Sequence, residues 1–285
     1  MLRRAGFDNG AGSDAIGIGA GVSTSFPRLR LSIDGWAEYF SFPDGEHGIV
    51  GGISIGRRIA GRSVVLVLAE RTPLLGTVSS LNAHTTGTLY RLTWKTDDAS
   101  KWLASVSAHV VRYSDDNRGQ GADAYAIAPL LNGRVDIRAG LSAAWRDSDE
   151  NRFQFTGFRS ERIAPDQFAY TFTGVYDPYW TPHRLRDGRA VMVISTSLRK
   201  TRVKLQADAG YARDQYLTFT PPSGPTPSPS FTQPLMLGRS FKPWRASVEG
   251  VMPLQRGAEL RARYRHEVTA FYRTNEFEAS VGGHF

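Results

Sequence analysis

The sequence predicts an all-β fold: a transmembrane, antiparallel up-and-down β-barrel of about sixteen strands. Three observations carry that prediction. Apolar and polar residues alternate with a period of two along most of the 285 residues, the mark of strands with one apolar and one polar face. Tight connections alternate with longer ones, as between the two rims of an outer-membrane barrel. The polar faces carry Arg, Lys, Asp and Glu within the strands, which a dry core does not accept unpaired but a water-filled lumen does.

Fifteen strands follow, at 14–26, 29–42, 48–58, 63–72, 86–96, 101–113, 120–131, 134–146, 151–158, 168–175, 189–198, 202–219, 239–252, 258–273 and 276–285. Residues 1–13 read as an N-terminal remnant or loop, and 14–285 as the barrel. In the first strand, "GIGAG" (17–21) echoes a nucleotide-binding loop but has no following helix, which phosphate cradling requires; small residues at a strand crossing are the better account. The second sets Leu31, Ile33, Ala37 and Tyr39 against Ser32, Asp34 and Glu38. "VVLVLA" (64–69) and "AVMVI" (190–194) are strand-sized tracts. The strand at 134–146 sets Val135, Ile137, Ala139, Leu141, Ala143 and Trp145 against Asp136, Arg138, Ser142 and Arg146. That at 202–219 sets Val203, Leu205, Ala207, Ala209 and Tyr211 against Arg202, Lys204, Gln206 and Asp208. In 258–273, Leu260, Ala262, Tyr264 and Val268 oppose Glu259, Arg261, Arg263, Arg265 and Glu267. The last strand alternates without a break and places Phe277, Val281 and Phe285 on its apolar side.

Every second connection is mostly short, as at 27, 60, 97, 132, 200 and 253, whereas 73–85, 176–188 and 221–234 are long. The proline-rich 221–230 is an extended surface loop by composition. If the last strand ends at the periplasmic rim, the strand at 14–26 runs inward from outside. An even count with both ends at the periplasm then requires one more strand before residue 14, so the expectation is sixteen strands in an N-terminally truncated chain.

Composition bounds the rest. The longest apolar runs fall well short of a membrane-spanning helix, and the absence of cysteine excludes disulfide scaffolds and thiolate metal sites. A net charge of +8 is scattered rather than clustered, which argues against nucleic acid as a partner. Trp36, Trp94, Trp102, Trp145, Tyr39, Tyr90 and Tyr264 fit the aromatic belts of the two membrane interfaces. A terminal strand closing on an aromatic resembles the signal read by the β-barrel assembly machinery, with Phe277, Val281 and Phe285 as its residues. The expected location is the bacterial outer membrane, and the expected surroundings are its lipid.

Three stretches, "RYSDDN" (112–117), "YDPYWTP" (176–182) and "GYARDQ" (210–215), resemble segments of the C-terminal barrel of tetratricopeptide-repeat outer-membrane proteins. That family includes the cellulose synthase export subunit and the poly-N-acetylglucosamine porin. The resemblance covers residues 90 to 285. It implies a pore for an exopolysaccharide, fed in the family by a periplasmic helical-repeat arm that this sequence does not contain.

Arg202, Lys204, Asp208, Glu259, Arg261, Arg263, Arg265 and Glu267 are the candidate lumen-lining residues. They are read either as selectivity-setting charge or as cross-strand ladders that hold the wall. Three arginines on one strand face need acidic partners or an anionic ligand. Tyr176, Tyr179 and Trp180 are exit-loop aromatics, placed to stack on sugar rings or to pack inward as a constriction. A diffusion porin is the alternative function, and a barrel lipid hydrolase a weaker one, since none of the six histidines stands in a His-x-Ser arrangement. No catalytic residue, metal site or cofactor is expected.

Overall fold

The structure, a computed structural model, describes residues 2–7, 14–42, 44–59, 62–74, 80, 82–96, 102–164, 167–177, 179–219, 234–254, 258–269 and 273–283. They form β1 (Leu2–Phe7), β2 (Asp14–Phe26), β3 (Leu31–Ser41), β4 (His47–Arg58), β5 (Ser63–Pro73), β6 (Thr86–Thr96), β7 (Leu103–Tyr113), β8 (Arg118–Leu131), β9 (Val135–Ser148), β10 (Phe153–Ala164), β11 (Gln167–Tyr176), β12 (His183–Leu198), β13 (Thr201–Phe219), β14 (Pro234–Phe241), β15 (Trp244–Pro253), β16 (Ala258–Val268) and β17 (Arg273–Gly283). No described helix is long and apolar enough to cross a membrane.

The strands close on themselves. β1 pairs with both β2 and β17, and β12 with both β9 and β13, so β1–β9, β12, β13 and β15–β17 make a ring of fourteen antiparallel strands. Closure removes sheet edges and satisfies the backbone within the wall, the condition for lying in lipid. β14 and β15 are one strand interrupted at Pro243. Ala209 faces Trp244 and Ala212 faces Phe241 in unbroken register. The proline lacks the N–H a ladder needs, although its carbonyl still accepts from Gly210 at 3.1 Å.

Two expectations change. With β14 and β15 counted together the described residues form sixteen strands, of which fourteen are wall. The segments expected at 151–158 and 168–175 form the separate hairpin β10–β11, because β9 pairs directly with β12 from Arg146–Leu185 to Val135–Thr196 and leaves them no place. The stretch 1–13, expected as a remnant or loop, contains β1, which occupies the position that parity required before residue 14. Less far-reaching, β12 begins at His183 rather than 189.

The two faces of the ring are chemically opposite. Leu205, Tyr211, Leu141, Ile53 and Val106 are exposed on one face, whereas Glu38, Arg138 and Asp208 are buried on the other. A closed sheet can bury charged groups only on its concave side, so the exposed apolar face is the exterior and the polar face lines the lumen. Trp94 and Trp102, and toward the other rim Tyr39, Trp145 and Tyr211, are exposed on the outside, as belt residues should be. Trp36 is different. It shares the inner face with Asp34 and Glu38, and its ring comes within 2.9 Å of where a Cβ on Gly52 would lie. Phe277 and Val281 point outward, 45% and 66% exposed, while Phe285 lies outside the described residues.

The "GIGAG" stretch has a packing role. Gly17, Gly19 and Gly21 of β2 stand opposite Phe40, Glu38 and Trp36 of β3. A Cβ on Gly17 would lie 1.8 Å from Oε1 of Glu38, and one on Gly19 2.4 Å from the Ala37 carbonyl oxygen. The absent side chains of β2 make room for the bulky inner residues of β3.

Candidate functional site

All eight lumen candidates lie on the inner face, and the register sorts them into rows around the wall. Lys204 is opposite Glu249, Glu249 opposite Arg263, and Arg263 opposite Glu278. In a neighbouring row Asp208 faces Arg245, which faces Glu267. Acid and base alternate across strands, an arrangement that stabilises a sheet. Of the three arginines of β16, Arg263 stands between Glu249 and Glu278 in register, whereas Arg261 stands between Val251 and Ser280. Arg265 pairs with Glu267 and lies 4.0 Å from Glu276, and Arg261 lies 3.9 Å from Glu249. Arg202 reaches Glu259 at 3.3 Å. Among the described residues Lys204 and Arg263 make no ion pair.

The tightest part of this network is centred on Asp208, whose side chain is 1% exposed. Its Oδ1 accepts from Arg189 Nη1 at 2.8 Å and its Oδ2 from Arg245 Nε at 2.7 Å. Arg189 also donates to Asp187 through Nε at 2.8 Å. Three strands, β12, β13 and β15, are thus joined by one carboxylate. Nearby, Arg138 binds Asp136 at 2.9 Å. Asp123 is shared by His109 at 3.3 Å and Arg146 at 3.7 Å.

At the long-loop rim, residues 179–182 fold into the barrel mouth. Tyr179 is only 3% exposed. Its ring lies 4.4 Å from that of Tyr113 on β7, and its hydroxyl donates to Asp115 at 2.7 Å. Asp115 also pairs with Arg152 at 3.0 Å. Thr181, fully buried, accepts from the Arg152 N–H at 2.7 Å. Trp180 meets Phe241 edge-on at 6.0 Å and sits beside Asp214, which binds Arg239 at 2.5 Å. Burial first, and then the hydrogen bond to Asp115, raise the Tyr179 phenol above the ordinary tyrosine range. Of the two readings of the exit-loop aromatics, the geometry of Tyr179 and Trp180 is inward packing. Tyr176 is placed apart, as the last residue of β11 opposite Phe153.

This constriction unites the three stretches that carry the family resemblance. Tyr113 and Asp115 come from "RYSDDN", Tyr179, Trp180 and Thr181 from "YDPYWTP", and Asp214 from "GYARDQ". Beneath it lies a cavity of about 380 Å³ lined by Arg91, His109, Arg146, Tyr113, Tyr179 and Trp180 among others. Arg189, Asp187, Asp115, Thr181 and Arg239 were not singled out from sequence. Asp115 stood inside a quoted stretch, Arg189 opened the strand expected at 189–198, and Asp187 fell in the loop expected at 176–188 because β12 starts earlier than its apolar tract. Among the described residues no three His, Cys, Asp or Glu side chains gather as a metal site.

No family model and no curated protein matches the sequence. Among solved structures, the chain is similar to a bacterial polysaccharide outer membrane secretin, with a TM-score of 0.58 and 11% identity over 100% of this chain and 98% of the other. The fold is that of an outer-membrane β-barrel. Weaker similarities are to the translocator domain of autotransporter NalP from Neisseria meningitidis (TM-score 0.38, 13% identity, 100% of this chain and 85% of the other). The loop L8 deletion mutant of OmpT of Vibrio cholerae gives a TM-score of 0.42 and 9% identity over 98% and 95%. An apolar exterior with interfacial aromatics and a charged interior fits this barrel to the outer membrane.

Proposed function

We propose that this barrel is an outer-membrane pore and that its cargo is an exopolysaccharide leaving the cell. The observation that carries the reading is the inward segment 179–182. It narrows the mouth of a hydrated, charged lumen with Tyr179 and Trp180, and it is assembled from the three stretches that resemble tetratricopeptide-type export barrels. Aromatic rings beside charged and hydroxyl groups suit a sugar chain, which offers both apolar ring faces and hydroxyls. The described similarity to a polysaccharide outer membrane secretin agrees with this cargo. In this role the pore is passive: the lumen supplies a wet path, and polymer synthesis elsewhere drives the movement.

The test is single-channel recording of the refolded chain in planar bilayers, with long and short glycans added. Discrete conductance steps blocked by a long glycan support export. Steps that pass small solutes freely and ignore the long glycan favour a diffusion porin instead. A chain that stays monomeric and folded in water without inserting would remove the pore reading altogether.

A further inference from the structure

The two rims of the lumen differ in charge. At the short-turn rim, a cavity of about 370 Å³ is lined by Arg134, Arg202, Lys204 and Arg261, with only Asp136 and Glu249 as acids. Asp136 is engaged by Arg138 at 2.9 Å. Arg134 and Lys204 make no ion pair among the described residues. The remaining two cations are only loosely held: Arg202 is 69% exposed in its contact with Glu259, and Arg261 is 55% exposed in a 3.9 Å contact with Glu249. Pairs this open to water are weak, so their guanidinium groups remain available to a ligand. The hydroxyls of Ser195 and Ser197 line the same cavity.

Across the mouth, a second cavity is lined by Arg30 and Arg58 with Ser25 and Ser32, and its described lining contains no acid. The linings of the two cavities together hold six cations and two acids, and Glu259, in contact with Arg202, adds a third acid at this rim, whereas the row Asp208–Arg245–Glu267 deeper in the wall alternates in sign. At the other end, the cavity beneath the inward loop balances Arg91 and Arg146 with Glu70 and Asp147. The excess of positive charge is local to the short-turn mouth. A cleft of one sign between low-dielectric walls concentrates ions of the opposite sign.

We infer that the short-turn mouth is a binding vestibule for oxyanion groups, and that the glycan it admits carries carboxylates or comparable acidic substituents. This rests on the export reading for the word glycan; the anion site stands on the charge geometry alone. Because Arg202, Lys204 and Arg261 lie on the inner face, the oxyanion belongs to a solute in the lumen and not to a lipid headgroup outside. Guanidinium forks and serine hydroxyls are suited to carboxylate oxygens, and the cavity falls within the ordinary range for a small-ligand site.

The test is calorimetric titration of the refolded full chain in zwitterionic detergent with tetragalacturonate, and with maltotetraose as the uncharged control. Tetragalacturonate is expected to bind at least tenfold more tightly than maltotetraose at about 50 mM salt and to lose that advantage at about 500 mM, where screening is strong. The double variant Arg134→Glu with Lys204→Glu should abolish the preference, and Arg134→Lys with Lys204→Arg should retain it. Retention of heat-modifiable migration shows that each variant is folded. Equal affinity for the two glycans, or a preference untouched by charge reversal, overturns the inference. The measurement needs no open channel. Binding without conductance would sink the pore reading alone, and conductance without acidic preference would sink this one alone.

Discussion

Tyr179 donates its phenolic hydrogen to Asp115 at 2.7 Å, joining two segments 64 residues apart. Through that bond, and through the stack of Tyr179 on Tyr113, the segment inside the mouth is tied to the turn after β7. A hydrogen bond to a carboxylate contributes about 2 kcal/mol. Tyr179→Phe should therefore raise the open fraction of the channel by up to about thirtyfold, and Tyr179→Ala, which also removes the stack, by more. Single-channel open probability is the readout; traces matching the wild type in both variants would show that this segment does not control the aperture.

The same hydroxyl predicts an alkaline limit. Its folded-state value is raised above the ordinary tyrosine value of about 10 by burial and by the bond to Asp115. A group raised on folding contributes stability that is complete below its unfolded value and is lost as pH climbs through its folded one. Channel behaviour should thus be flat from about pH 6 to about pH 9, and opening should begin only in strongly alkaline solution. In Tyr179→Phe that alkaline step should be missing. A step near neutrality would assign the control to some other group.

Asp208 should be the most costly charged residue of the wall to remove. Replacing it with Ala leaves Arg189 with Asp187 alone and Arg245 without its carboxylate, and breaking a buried pair by removing one partner costs about 3 kcal/mol or more. Asp208→Asn keeps an acceptor and should cost less. The midpoint of urea unfolding, followed by loss of heat-modifiable migration, measures both. A neutral Asp208→Ala would mean that water in the lumen already satisfies these arginines.

The assignment of the two faces can be tested directly. Leu141 is 69% exposed on the exterior at mid-strand, so Leu141→Arg puts a charge in hydrocarbon and should destabilise the inserted barrel by about 2–4 kcal/mol. Gln206 is on the inner face one row from Asp208, and Gln206→Arg should leave stability nearly unchanged while altering ion selectivity. Folding into lipid vesicles at graded urea concentrations separates the two; equal effects would contradict the inside-outside assignment.

Alternation made most of the wall legible, because a period of two is a local property that survives without any knowledge of the partner strand. It identified the inner residues of β13 and β16 one by one. It could not show which strands are neighbours. The hairpin β10–β11 alternates much as wall strands do, and only the direct pairing of β9 with β12 reveals that it stands outside the ring. Trp36 was assigned to a belt by residue type, although the phase of its own strand, which it shares with Asp34 and Glu38, places it inside. At the mouth, the aromatics were visible but their direction was not, since that is decided by Asp115, Arg152 and Phe241, all distant in sequence. Pro243 shows the reverse case: a single residue marks where one ladder breaks into β14 and β15 without changing the register.

Because β9 and β12 are neighbours along their whole shared length, everything between Ser148 and His183 is spliced into a wall that is already complete without it. Scaffold and aperture are separate modules in this chain. Lineages or engineers could exchange the inserted module for another of different bore or taste, while every hydrogen-bonded ladder of the ring stayed as it is.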